Sequence, residues 1–148
     1  MQGDEIPRIK LNEYSFAEIR IGQTESFNIT MTQDMQDGFR ALSGDINPMH
    51  LDEAYAKSKG FDGKLVYGML TASFYSTLVG TLLPGKKCLL QEVEIKFRKP
   101  VLIGDVLRVV GECTEKNDTF KLIIMKAKVS NQSNELVSSA KLKVSILD

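Results

Sequence analysis

The sequence predicts an α+β fold, with one long apolar helix from the first half laid across an antiparallel sheet built by the second half. Residues 65–85 contain no charged side chain, and Pro84-Gly85 closes the stretch, a pair that breaks helices. The period then changes. Val93, Ile95 and Phe97 alternate with Glu92, Glu94, Lys96 and Arg98, the pattern of a half-buried strand. Short turns separate the later apolar stretches, which favours antiparallel pairing.

Taken in order, residues 26–31 read as a short strand. Thr32 is placed to cap a helix running through Phe39 and Leu42, and Gly44 stops it. Residues 52–59 read as a short helix capped by Asp52 and ended by Gly60. The apolar helix runs over residues 68–83. Strands follow at 106–113, at 120–129 after a Lys116-Asn117-Asp118 turn, and at 136–147 after Asn131-Gln132-Ser133-Asn134. Laying the helix across the sheet is the compact way to bury the apolar faces of both.

At 148 residues the chain fits a single domain, 1–148, with 1–13 expected to be a loosely ordered extension. That extension is charged and has no apolar run, unlike a signal peptide. The 19 basic and 19 acidic residues are scattered and sum to a net charge of +0. No basic stripe marks a nucleic-acid or membrane partner, and a cytoplasmic location is expected. Residues 65–85 are long enough to span a bilayer. Gly68, Thr71, Ser73, Ser76, Thr77, Gly80 and Thr81 moderate their hydrophobicity, so a wrapped core helix is the expected form. Cys88 and Cys113 lack metal-ligand spacing and read as reduced core thiols.

The chemistry concentrates in Ser43-Gly44-Asp45-Ile46-Asn47-Pro48-Met49-His50. His50 is the sole histidine and follows Asp45 by five residues. Pro48 fixes its own φ and disfavours helix at Asn47, so the segment is expected to be a rigid turn. Such a turn can aim a carboxylate and an imidazole at one point, as acid–base chemistry requires. As isolated residues, an Asx-turn aspartate and a solvated histidine would look the same. A metal reading is weak. Counted as an EF-hand from Asp45, the loop has no glycine at its sixth position and Ala56 in place of the terminal glutamate. No zinc pattern, phosphate loop or Ser/His/Asp order is present.

Further motifs recur around this octet. Phe39-Arg40-Ala41-Leu42 precedes it and Ala56 follows. Then come Val66-Tyr67-Gly68-Met69-Leu70, Leu83-Pro84-Gly85 and Phe97-Arg98-Lys99-Pro100-Val101-Leu102-Ile103-Gly104-Asp105. In these residues, from about Phe16 to the C terminus, the chain resembles the MaoC-like, R-specific enoyl-CoA hydratases of the hot-dog fold. One departure is Tyr67, where a histidine is usual. The resemblance implies a sheet wrapped around a central helix, with the helix-across-sheet reading as its counterpart. It implies reversible addition of water to a trans-2-enoyl thioester, giving the (R)-3-hydroxyacyl product. Coenzyme A or acyl carrier protein would enter only as part of the substrate, with no metal or redox cofactor. A homodimer or higher homo-oligomer is implied too.

Hydrating a conjugated thioester needs a water poised by a base, a proton for the α-carbon and stabilisation of enolate charge. Asp45 and His50 are expected to supply the first two. Gly68 stands where the apolar helix begins, and unpaired N–H groups at a helix start suit the third. The resemblance gives this glycine the oxyanion role, although a cap or packing glycine is the alternative. Ser76 lies at i+8 on a similar helical face. Its family counterpart sits beside the acid–base pair, but a serine bonded back to a helical carbonyl is equally consistent. Asn47 is expected to shape the turn, and Tyr67 to tune substrate fit. A hot-dog thioesterase and a non-catalytic acyl-thioester-binding module are the competing functions.

Overall fold

The computed structural model describes residues 9–148. Strand β1 (Thr24–Thr30) buries Phe27 and Ile29 and turns Asn28 and Thr30 to solvent. Helix α1 (Gln33–Ser43) starts where Thr32 Oγ1 accepts the Met35 N–H at 3.2 Å. It ends at Gly44, whose φ of +72° is left-handed and whose N–H donates to the Arg40 carbonyl.

The segment expected as a plain rigid turn contains a one-turn helix, α2 (Pro48–Leu51). Asn47 Oδ1 accepts the Met49 N–H at 2.9 Å and Pro48 occupies the first helical position. An N-cap side chain followed by proline starts a helix, which is why the turn winds up. Helix α3 (Glu53–Ser58) is capped by Asp52, as expected. Helix α4 (Gly68–Thr77) is the apolar helix, and a π-helical turn over Leu78–Leu82 extends it. No helix among the described residues is long and apolar enough to cross a membrane.

The remaining strands are β2 (Cys88–Phe97), β3 (Val106–Asn117), β4 (Leu122–Ser130) and β5 (Leu136–Ile146). β3 absorbs Lys116 and Asn117, so the turn to β4 falls at 118–121, slightly later than expected. All pairings are antiparallel, in the order β1-β3-β4-β5-β2. One row of partners crosses the whole sheet: Phe27, Val109, Val129, Ser138, Phe97. Next to it runs a row of small residues, Gly111, Ala127 and Ala140, ending in Ile95. The helix rests on this small row. A Cβ on Gly111 would stand 2.5 Å from Leu78 Cδ2, so only glycine permits that approach. Tyr75 and Ser138, both buried, share a hydrogen bond of 2.7 Å that fixes the helix over the sheet. Phe74 meets Phe27 edge to face at 6.4 Å.

β2 is less buried than its alternation suggests. Val93 is 45% and Phe97 51% exposed. β2 is an edge strand bonded only to β5, and its apolar face continues into a groove beside Met69, Ala72, Ser73 and Ser76 of α4. Near the N terminus, Asn12 N–H donates to the Thr81 carbonyl at 2.8 Å and Glu13 bridges to Gly85. Asn12 and Glu13, which fall inside the loose extension expected over 1–13, are thus bonded into the fold, and residues 1–8 lie outside the described residues.

Candidate active site

His50 is the third residue of α2, and its N–H donates to the Asn47 carbonyl at 3.0 Å. Its ring Nδ1 lies 2.8 Å from the Leu65 carbonyl oxygen. A carbonyl only accepts, so Nδ1 carries the proton and Nε2 of the neutral ring presents a lone pair. Leu65 is itself held from both sides. Its N–H donates to the Met49 carbonyl at 2.9 Å, and it bridges to Leu102.

Gln36, a residue the sequence reading missed, ties this corner together. It projects from α1, is 1% exposed, and donates through Nε2 to the carbonyls of His50 (3.2 Å) and Leu65 (3.0 Å). Its Oε1 accepts the Tyr67 N–H at 3.2 Å. The one sequence signal was its position on the same helical stripe as the half-buried Met35 and Phe39.

His50 and Gly68 line one cavity of about 320 Å³, with Thr71, Phe97, Arg98 and Lys99 among the other walls. At the start of α4 the N–H groups of Leu70 and Thr71 both turn back to the Tyr67 carbonyl. Those of Gly68 and Met69 precede them and belong to the unpaired first turn of a helix, where the dipole favours negative charge. Thr71 Oγ1 donates to the Gly68 carbonyl at 2.7 Å. A Cβ on Gly68 would meet Phe97 Cε1 at 3.3 Å, so the missing side chain keeps this wall open. Arg98 and Lys99 bring positive charge to the rim, with Lys99 ion-paired to Glu135.

Asp45 stands apart from the cavity wall. It is exposed, its Oδ1 accepts the Asn47 N–H at 2.9 Å, and its own N–H donates to Ser43 Oγ at 3.3 Å. Among the described residues neither a hydrogen bond nor an ion pair joins it to His50. Asn47 is bonded within the segment: its side chain caps α2 and its N–H donates to the Asp45 carboxylate. Ser76 is placed elsewhere. It is exposed and lines the groove between α4 and β2, away from His50. Phe97 lines both spaces.

Tyr67, expected to tune substrate fit, is 2% exposed and absent from the cavity wall. The backbone turns its side chain inward, where the ring lies 4.1 Å from that of His50 and 5.0 Å from that of Phe39. Its hydroxyl donates to the Asp45 carbonyl at 2.5 Å. Burial, and then the Asp45 charge, raise the hydroxyl pKa above its ordinary value, so it stays a donor.

The sequence profile of the MaoC like domain matches residues 16–135. The chain belongs to the MaoC-like dehydratase family. The (R)-specific enoyl-CoA hydratase of Aeromonas caviae is 33% identical over 108 residues, which are 73% of this MaoC-like chain and 81% of that protein. A 3-hydroxybutyryl-CoA dehydratase of Methylorubrum extorquens is 34% identical over 100 residues, 68% of this chain and 64% of its own. Among solved structures, the unliganded R-hydratase PhaJ1 of Pseudomonas aeruginosa superposes with a TM-score of 0.87 at 30% identity, covering 93% of this chain and 88% of that one. The A. caviae (R)-hydratase involved in PHA biosynthesis gives 0.83 at 30% identity, covering 86% and 97%. The antiparallel sheet around α4 is thus the hot-dog fold of these MaoC-like proteins.

Proposed function

We propose that this MaoC-like protein is a hydratase/dehydratase that reversibly adds water across a trans-2-enoyl thioester to give the (R)-3-hydroxyacyl thioester. The observation that carries this reading is the cavity shared by His50 and Gly68. It sets an imidazole with a free Nε2 beside a helix N terminus, a base next to electropositive N–H groups. The base draws a proton from water as the oxygen adds at C3. Negative charge builds on the thioester oxygen, which accepts a hydrogen bond from the Gly68 N–H. The α-carbon then takes a proton, closing the balance at one water added. Asp45 and His50 share the handling of the water and of that proton.

Coenzyme A is the proposed carrier, because Arg98 and Lys99 at the rim suit phosphate oxygens; acyl carrier protein is the alternative. The reaction so written calls on neither a metal nor a redox cofactor. A cytoplasmic, reducing setting suits the free thiols of Cys88 and Cys113.

The protein is further proposed to act as a homodimer. β2 leaves one edge of its backbone unpaired, and Leu89, Val93, Phe97 and Met69 expose apolar surface beside it, a combination that invites a second copy. The decisive experiment is an assay of purified protein with enoyl-CoAs of graded length, followed by chiral analysis of the product. Loss of the enoyl absorbance with the thioester intact and an (R)-3-hydroxy product supports the reading. Release of free coenzyme A thiol would identify a thioesterase, and binding without turnover a binding module.

A further inference from the structure

Residues 44–47 are exposed and held almost entirely by bonds among near neighbours. Gly44 N–H donates to Arg40, Asp45 N–H to Ser43, Asn47 N–H to Asp45, and Asn47 accepts from Met49 and His50. A single hydrogen bond among the described residues reaches this segment from a distant part of the chain: Tyr67 Oη to the Asp45 carbonyl. The residue that makes it is also the platform for the other half of the acid–base pair, with its ring 4.1 Å from His50 at an interplanar angle of 34°. Its own position is fixed independently. The Tyr67 N–H is taken by Gln36, its carbonyl by Leu70 and Thr71, and its ring also packs with Phe39.

We propose that Tyr67 is a positioning residue that couples Asp45 to His50, its hydroxyl anchoring the aspartate segment and its ring setting the imidazole plane. This rests on the proposed acid–base roles of Asp45 and His50. Tyr67 does not touch the cavity, so its contribution runs through those two groups rather than through substrate contact. The same residue that opens α4 at Gly68 thereby links all three proposed reacting groups. A displaced carboxylate or imidazole damages the chemical step far more than binding, because reacting groups tolerate little misplacement. An ordinary core tyrosine would contribute stability alone.

His50 is the sole histidine, so its ring Cε1–H gives one unambiguous NMR signal, shifted by the adjacent Tyr67 ring. Tyr67→Phe keeps the ring and removes the anchor. Its expected effects are a fall in kcat on crotonyl-CoA of about 10- to 100-fold, KM held within about threefold, the His50 signal in place, and faster hydrogen exchange of the Asp45 and Asn47 amides. Tyr67→Leu should lower kcat at least as far and move the His50 signal. Tyr67→His retains an aromatic ring with an N–H donor and should bring kcat back to within about tenfold of the unaltered protein. Full kcat in Tyr67→Phe overturns the proposal, as does unchanged amide exchange at Asp45 and Asn47. Should Tyr67→Phe fail to fold, a folded Tyr67→His with kcat more than about a hundredfold down overturns it instead. If the unaltered protein turns over no enoyl thioester, the hydratase reading falls. The NMR signal and amide exchange still decide whether Tyr67 couples the two groups.

Discussion

His50 Nδ1 and the Leu65 carbonyl oxygen are 2.8 Å apart, although their residues are separated by 15 positions in the chain. This contact selects the tautomer of the only histidine and leaves Nε2 as the nitrogen proposed to act as the base. It also gives the imidazole a fixed orientation, as the partner on the other ring nitrogen commonly does in acid–base sites. Leu65 can hold this role because Gln36 and the Met49 carbonyl hold Leu65.

Asp45→Asn and His50→Ala should each lower hydratase turnover by about 10²–10⁴-fold, the usual contribution of a positioned acid or base. Folding and oligomeric state should be retained, since neither side chain is buried in the core. The double variant should be little worse than the poorer single one, because cooperating groups are not additive. Steady-state kinetics on an enoyl-CoA decides this. Near-normal turnover in either single variant removes that residue from the mechanism.

Gln36→Leu should destabilise the fold by about 1–3 kcal/mol, because it strips partners from the buried Tyr67 N–H and the His50 carbonyl. It should also lower kcat, as the Leu65 carbonyl loses one of its two donors. Denaturant unfolding of the variant beside the unaltered protein gives the first quantity. An unchanged midpoint would show that water replaces Gln36 without loss.

Val93→Lys places a charge in the middle of the exposed apolar face of β2, where Val93 is 45% exposed in the single chain. Sedimentation of the unaltered protein should show at least a dimer, and the variant should shift toward the 16.5 kDa monomer. A monomer at micromolar concentration before any substitution would refute the dimer.

The Cys88 thiol is pushed up to about 11 by burial. Its folded value exceeds the unfolded one, so this group's contribution to stability is fully present below the ordinary thiol value of 9.0 and is lost as pH rises through about 11. Alkylation by iodoacetamide at pH 8 should accordingly be slow in the folded protein and fast in denaturant. Rapid labelling of Cys88 in the folded state would contradict its raised pKa.

Much of this protein was legible locally. Thr32 and Gly44 bound α1, Asp52 caps α3, and Pro84-Gly85 follow the apolar helix, because caps and breakers act on their own neighbours. The strands expected at 106–113 and 136–147 correspond to β3 and β5. Asp45, His50 and Gly68 stand out in the string, but their assignment as a site comes from the surrounding motifs and the resemblance they carry. In the fold His50 and Gly68 line one cavity and Asp45 stands apart from its wall. Other features required the folded chain. An apolar face on β2 says which side seeks cover, not what covers it, so its exposure at a sheet edge could not be read. Ser76 at i+8 from Gly68 looked close to the site, yet eight residues of helix advance the chain about 12 Å along the axis, into a different groove. Gln36 contacts Leu65 across 29 residues and Tyr67 across 31. Tyr67 is absent from the cavity wall and instead meets Phe39, His50 and the Asp45 carbonyl. Local rules specify the conformation of a residue and the face it presents, whereas its partners depend on where the sheet and the helices come to lie, and only the tertiary structure decides that.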